Sequence, residues 1–108
     1  MTILERQIEN GMRKQVEKMG GMFLKWVSPG NDGVPDRIAI LPNGSIWFVE
    51  LKADTGRVAP LQEYWKKQLT KMNCNAVIIR GKEEAVAWCV ERSVEVDLWR
   101  ELNGIQST

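Results

Sequence analysis

Apolar residues recur in the first part of the chain at Leu4, Ile8, Met12, Val16 and Met19, the spacing of one helical face, which predicts a helix over residues 2–19. Gly20-Gly21 ends it. Residues 22–27 make a short strand candidate, and Ser28-Pro29-Gly30-Asn31-Asp32-Gly33 reads as a loop on its turn chemistry. Residues 34–41 and 45–52, rich in β-branched and aromatic side chains, flank Pro42-Asn43-Gly44 and predict a hairpin. Residues 53–59 are a polar connection. Pro60 suits the first position of a helix running to about Asn73, with Leu61, Trp65, Leu69 and Met72 as its apolar stripe. Residues 76–80 are a continuous apolar strand. Gly81-Lys82 leads to a helix from Glu83 to about Arg92, and a separate segment, 94–102, also reads as helical.

The order is therefore αβββαβα. The last strand follows a crossover helix, so it should lie parallel to a hairpin strand in a mixed sheet flanked by helices. The expectation is one α/β domain over residues 1–108, with a C-terminal helical tail.

Composition narrows the chemistry. The chain has 108 residues, 44% hydrophobic and 27% charged, as in an ordinary globular protein. Five Trp and five Met are many for this length; they suit either a partner-facing surface or the core. No run is long and apolar enough to span a membrane, and early charges from Glu5 onward do not suit a signal peptide. Cys74 and Cys89 stand outside any CxxC or CxxH pattern, and there is no His. That argues against structural zinc and, without excluding a disulfide, for a reducing, cytoplasmic location. Serine or cysteine hydrolase chemistry with a histidine base is excluded, leaving carboxylates, lysine and a metal ion for any hydrolysis. Net charge is +1, yet residues 1–82 carry 13 basic and 8 acidic side chains, against 2 and 6 in residues 83–108. The acidic end reads as a solvated helix face.

Glu50-Leu51-Lys52 puts an acid and a base on one side of a strand whose neighbours Trp47, Phe48, Val49 and Leu51 are apolar. Alone, the tripeptide reads more readily as a strand surfacing into solvent. Asp36 changes the picture. If Pro42-Asn43-Gly44 is a three-residue turn with Gly44 left-handed, Leu41 opposes Ser45 and Asp36 opposes Glu50. Two carboxylates then meet beside a lysine, an unfavourable pairing unless a cation or a shared proton compensates. Carboxylate oxygens suit Mg²⁺ or Mn²⁺. A two-residue Asn43-Gly44 turn would put the acids on opposite faces.

At about 100° per residue, Glu5 falls inside the apolar arc of the first helix and Glu9 at its edge. Glu5 either joins the acids or simply favours the helix dipole. Gln62, in the first turn after Pro60, suits a phosphate contact or a plain capping role.

Gly33-Val34-Pro35-Asp36, Glu50-Leu51-Lys52 and Pro60-Leu61-Gln62, with Glu5-Arg6-Gln7-Ile8 in the first helix, resemble the motifs of the VRR-NUC domains, the virus-type replication-repair nucleases of the PD-(D/E)XK superfamily. The resemblance covers residues 5 to about 80 and implies a restriction-endonuclease-like αβββαβ core of the standalone phage or bacterial type. It implies a metal-dependent endonuclease acting on DNA, with Mg²⁺ or Mn²⁺, a homodimer, and branched DNA such as a four-way junction as substrate. By resemblance, Asp36, Glu50 and the Leu51 carbonyl bind the metal, Lys52 and Gln62 orient water and phosphate, and Glu5 completes the site. The tail after Arg92 matches no family motif.

Arg37, Arg57, Lys66 and Lys67 are candidates for DNA backbone contacts, although each taken singly reads more readily as a solvated charge. The rival readings are a restriction-type or resolvase-like nuclease of the same superfamily, a DNA-binding module that keeps the fold without cleavage, and a structural subunit of a replication or packaging complex.

Overall fold

A computed structural model describes residues 2–106. Its elements follow the expected order: α1 (Ile3–Lys18), β1 (Met22–Lys25), β2 (Arg37–Ile40), β3 (Ile46–Lys52), α2 (Pro60–Lys71), β4 (Asn75–Arg80) and α3 (Gly81–Leu102). The sheet runs β1-β2-β3-β4. The first two pairings are antiparallel, and β3–β4 is parallel, as the crossover through α2 requires.

Local chemistry explains the boundaries. Thr2 caps α1 by accepting a hydrogen bond from the Glu5 N–H at 3.1 Å. At the hairpin the Gly44 N–H donates to the Leu41 carbonyl and the Leu41 N–H to the Ser45 carbonyl, both at 2.9 Å. Gly44 takes φ +87°, so this is the three-residue turn with a left-handed third position. β2 starts at Arg37 rather than at 34 because Pro35 has no N–H to offer a ladder.

One face of the sheet carries Phe23, Ala39, Leu41, Val49, Leu51 and Ile79 into a core completed by α1 and α3. α2 packs against β4 and contributes nothing to that core, so it covers the opposite face. The two helical segments expected after Gly81 are one helix of 22 residues. Its inward stripe is Ala85, Trp88, Cys89, Arg92 and Val96, and the charge on Arg92 conceals this periodicity. Arg92 is buried because its guanidinium lies 4.2 Å from the Trp47 ring centroid and bridges Glu91 and Glu95. Near the end of α3, Arg100 donates to the Met19 carbonyl at 2.6 Å, tying it to the end of α1. The segment after Arg92 thus closes the helical layer.

The tryptophans belong to packing. No Trp is exposed; Trp88 is buried and the other four are half-buried. The exposed apolar side chains are mostly aliphatic and include Val86, Val90, Val94 and Leu98 on the outer side of α3.

Candidate active site

The β2–β3 register pairs Arg37 with Val49 and Ile40 with Ile46. One step further toward the open end, Asp36 stands opposite Glu50, as the three-residue turn requires. Side chains alternate along each strand, so Asp36, Glu50 and Lys52 share the face turned away from core residues Ala39, Val49 and Leu51. The Trp26 N–H donates to the Asp36 carbonyl at 2.9 Å and extends the β1–β2 pairing to this point.

Glu50 is buried, with 5% of its surface exposed. Burial, reinforced by the charge of Asp36, pushes its pKa up to about 7, against the pull of Lys52 and the Asp36 N–H. The Lys52 ammonium lies 3.7 Å from Glu50 Oε2. Burial also raises the Asp36 pKa, while Arg37 and the N–H groups of Asp36 and Leu51 hold it down. One oxygen of each carboxylate, Asp36 Oδ1 and Glu50 Oε1, is buried with no hydrogen-bond partner. Leaving such atoms unpaired is costly. Two orphaned carboxylate oxygens on one face fit a hard divalent cation. No group of three or more His, Cys, Asp or Glu is placed to hold a metal among the described residues. A cation here would rest on two carboxylates and a main-chain carbonyl such as that of Leu51, the sparse oxygen set that magnesium accepts.

Glu5 reaches the site from the first turn of α1, where its charge adds to the upward pressure on Glu50. Gln62 takes the capping role: its Oε1 accepts from the Ala59 N–H at 2.9 Å, and its amide NH₂ has no partner among the described residues. Arg57 and Lys67 are exposed and Lys66 is half-exposed.

Arg37, a candidate DNA contact, turns inward in the structure. Adjacent to Asp36, it alternates to the α1 face, where it is 8% exposed. It grips Glu9 Oε1 through Nη2 at 2.6 Å and Nε at 2.8 Å, and donates Nη1 to the Asp36 carbonyl at 2.8 Å. Its guanidinium is thus engaged with α1 and the main chain inside the fold.

Two participants were not legible as such. Glu9, one turn beyond Glu5, adds its charge to the raising of Asp36; the i,i+4 spacing could have paired it with Glu5. Arg80 sits beside Lys52 in the parallel β3–β4 register and is exposed. No turn encodes that register, so sequence offered no signal for it.

The fold and this carboxylate–lysine constellation define the PD-(D/E)XK class. No family model matches the chain. It is 50% identical over 81 residues, 75% of its length and 87% of the other's, to the protein named "Putative nuclease p44" of Acyrthosiphon pisum secondary endosymbiont phage 1. A solved structure described as "VRR_NUC domain" superposes with a TM-score of 0.74 at 26% identity, over 80% of this chain and 94% of that one. A second, "VRR_NUC domain protein", gives a TM-score of 0.66 over 89% and 92%, and at 13% identity shares the fold alone. The chain belongs to the VRR-NUC family.

Proposed function

We propose that this protein is a nuclease that hydrolyses DNA phosphodiester bonds with Mg²⁺ or Mn²⁺, acts on branched DNA such as four-way junctions, and works as a homodimer. The observation that carries the reading is the opposed pair Asp36 and Glu50, each with an orphaned buried oxygen, beside Lys52. Nothing in the packing requires that trio. Its burial costs stability, as expected of a site built for a charged ligand and unlike a fold kept only for binding.

Asp36, Glu50 and the Leu51 carbonyl would hold the cation. When bound, it supplies a Lewis acid for the phosphoryl group and the attacking water. Lys52 orients that water or stabilises the charge growing on the phosphate. Gln62 presents its free amide NH₂ to a phosphate oxygen from the first turn of α2, and Glu5 completes the acidic wall. Arg57, Lys66 and Lys67 make phosphate contacts that place the strand without reading its sequence.

The proposed partner surface is the groove between α1 and α3. Its volume is about 660 Å³, with Leu4, Ile8, Met12, Val86, Val90 and Val94 in its walls. Exposed Arg6, Lys14 and Lys18 on α1 complement exposed Glu83, Glu84, Glu91 and Glu95 on α3, which suits a two-fold pairing of one copy's α1 with the other's α3. No helix among the described residues is long and apolar enough to cross a membrane, and the phage relative suits action in the cytoplasm of a bacterial host.

The test is nicking of supercoiled plasmid with Mg²⁺ or Mn²⁺, followed by cleavage of linear, flap, nicked and four-way substrates. Metal-dependent cutting that favours the four-way substrate is the expected result. Full activity in excess EDTA overturns the metal, and DNA binding without cutting in either cation leaves the fold as a binding module.

A further inference from the structure

The β1–β2 connection, residues 26–36, delivers Asp36 to the site. Its last part is fastened to α2. The Trp65 indole N–H donates to the Asp32 carbonyl at 2.8 Å, a bond between residues 33 apart in sequence. One residue on, Gly33 adopts φ +83° and lies against Leu61 so closely that a Cβ would meet the Leu61 Cβ and Cγ at 2.8 Å. Only glycine satisfies both the conformation and the approach. Leu61 and Trp65 are one turn apart on one face of α2, and Gln62 lies in that same first turn. From the clasp at Asp32 to the carboxylate at Asp36 is four residues, and these include the buried Pro35 with its fixed φ. At the far end, the Trp26 N–H holds the Asp36 carbonyl on the sheet. The segment is thus pinned at both ends, and the α2 pin joins the part carrying Asp36 to the turn carrying Gln62.

We infer that Trp65 is a positioning residue: its indole N–H, through the Asp32 carbonyl, sets where Asp36 stands relative to Glu50 and Gln62. A lost clasp lets the segment lift from α2 and swing Asp36 about its Trp26 anchor. The effect reaches the chemistry only through Asp36, so it falls on cation affinity and turnover and spares DNA affinity. Misplacing a reacting group by about 1 Å costs on the order of 10²-fold in rate, and loss of a supporting contact behind a metal ligand weakens the site by about 10- to 100-fold. The inference rests on the nuclease reading.

Trp65→Phe keeps the ring and removes the donor. The measurements are thermal midpoint, Mn²⁺ affinity by calorimetry, kcat and KM on plasmid DNA, and solvent exchange of the indole proton in the wild type. A slowly exchanging Trp65 indole proton is expected. Trp65→Phe should leave the midpoint within a few degrees, weaken Mn²⁺ about tenfold, and lower kcat about tenfold or more with KM within about twofold. Leu61→Ala, at an exposed position, loosens the same segment from beside Gly33. It should move Mn²⁺ affinity and kcat the same way, and it carries the test if Trp65→Phe does not fold. Unchanged Mn²⁺ affinity and kcat in folded variants, or fast exchange of the indole proton, overturn the positioning role alone. Wild-type protein that neither binds Mn²⁺ nor cuts DNA overturns the nuclease reading and this role with it.

Discussion

Asp36 and Glu50 face each other across the β2–β3 hairpin, each with one carboxylate oxygen buried and unpartnered. In the metal-free protein the pair is a strained element, and the strain depends on pH. Glu50 titrates near 7 in the folded chain against an ordinary 4.5. Between those values the folded state holds a proton that the unfolded chain has released. Stability of the metal-free protein therefore falls as pH rises from 4.5 to 7 and levels off above. Glu50→Gln cannot ionise, so it should be the more stable protein in EDTA at pH 8, with the advantage gone at pH 4.5. Urea unfolding at both pH values measures this; equal midpoints at pH 8 contradict it. Added Mn²⁺ at pH 8 should raise the wild-type midpoint and leave the variant unmoved.

Catalysis should separate the acids from the lysine. Asp36→Asn and Glu50→Gln should each abolish cleavage with the fold intact and Mn²⁺ binding lost. Lys52→Ala should lower kcat by roughly 10²- to 10³-fold, as for removal of one charge-stabilising donor, with Mn²⁺ and DNA binding kept. Calorimetry and gel shifts beside single-turnover cleavage distinguish the two patterns. Normal cleavage by Lys52→Ala would show that the side chain is merely a solvated strand end.

The hairpin was readable because a turn encodes its register. Pro42-Asn43-Gly44 commits Leu41 to Ser45, and pairing runs outward from there to Ile46, Trp47 and Val49. The β3–β4 register has no such code. It joins strands separated by the α2 crossover, so the neighbourhood of Lys52 and Arg80 is not legible from a turn. α3 reads as two segments because a charged residue, Arg92, occupies a core position that the faces of Trp47 and Trp88 and the carboxylates of Glu91 and Glu95 make tolerable. Of the two readings open for the surplus of Trp, the structure shows packing: the cation–π contact, the Asp32 clasp and the contact of Trp26 with Phe48.

Arg37 offers a test of burial against charge. As a phosphate contact its loss would lower the salt dependence of DNA binding; as the partner of Glu9 its loss strands a carboxylate whose side chain is 13% exposed. Breaking a buried pair from one side costs about 3–5 kcal/mol, with the lower end suited to this partly exposed partner. Arg37→Ala should therefore lose about 3 kcal/mol in urea unfolding with the slope of log affinity against log salt unchanged. Lys67→Ala should keep its stability and reduce that slope by about one. The reverse assignment of effects would return Arg37 to the DNA surface.

The proposed homodimer would use the outer face of α3. Val86, Val90, Val94 and Leu98 recur every fourth residue and are 53%, 56%, 61% and 53% exposed, a continuous aliphatic stripe beside the α1–α3 groove. A stable homodimer hides roughly 800 Å² or more per partner. The α3 helix of 22 residues, about 1.5 Å per residue, supplies that area only if the stripe engages along most of its length with the neighbouring edge of α1. A charge at its centre should then be decisive. Val90→Glu would place a carboxylate in the middle of the aliphatic stripe, beside the like charges of Glu83, Glu84, Glu91 and Glu95 on the same helix. Sedimentation at micromolar concentration should give a dimer for the wild type and a 12.3 kDa monomer for Val90→Glu, with the fold retained because Val90 faces outward. The monomer should still nick plasmid, since Asp36, Glu50 and Lys52 lie within one chain, and should lose paired incision of a four-way junction. A monomeric wild type at that concentration, or a Val90→Glu protein that stays dimeric, places the contact elsewhere or removes it.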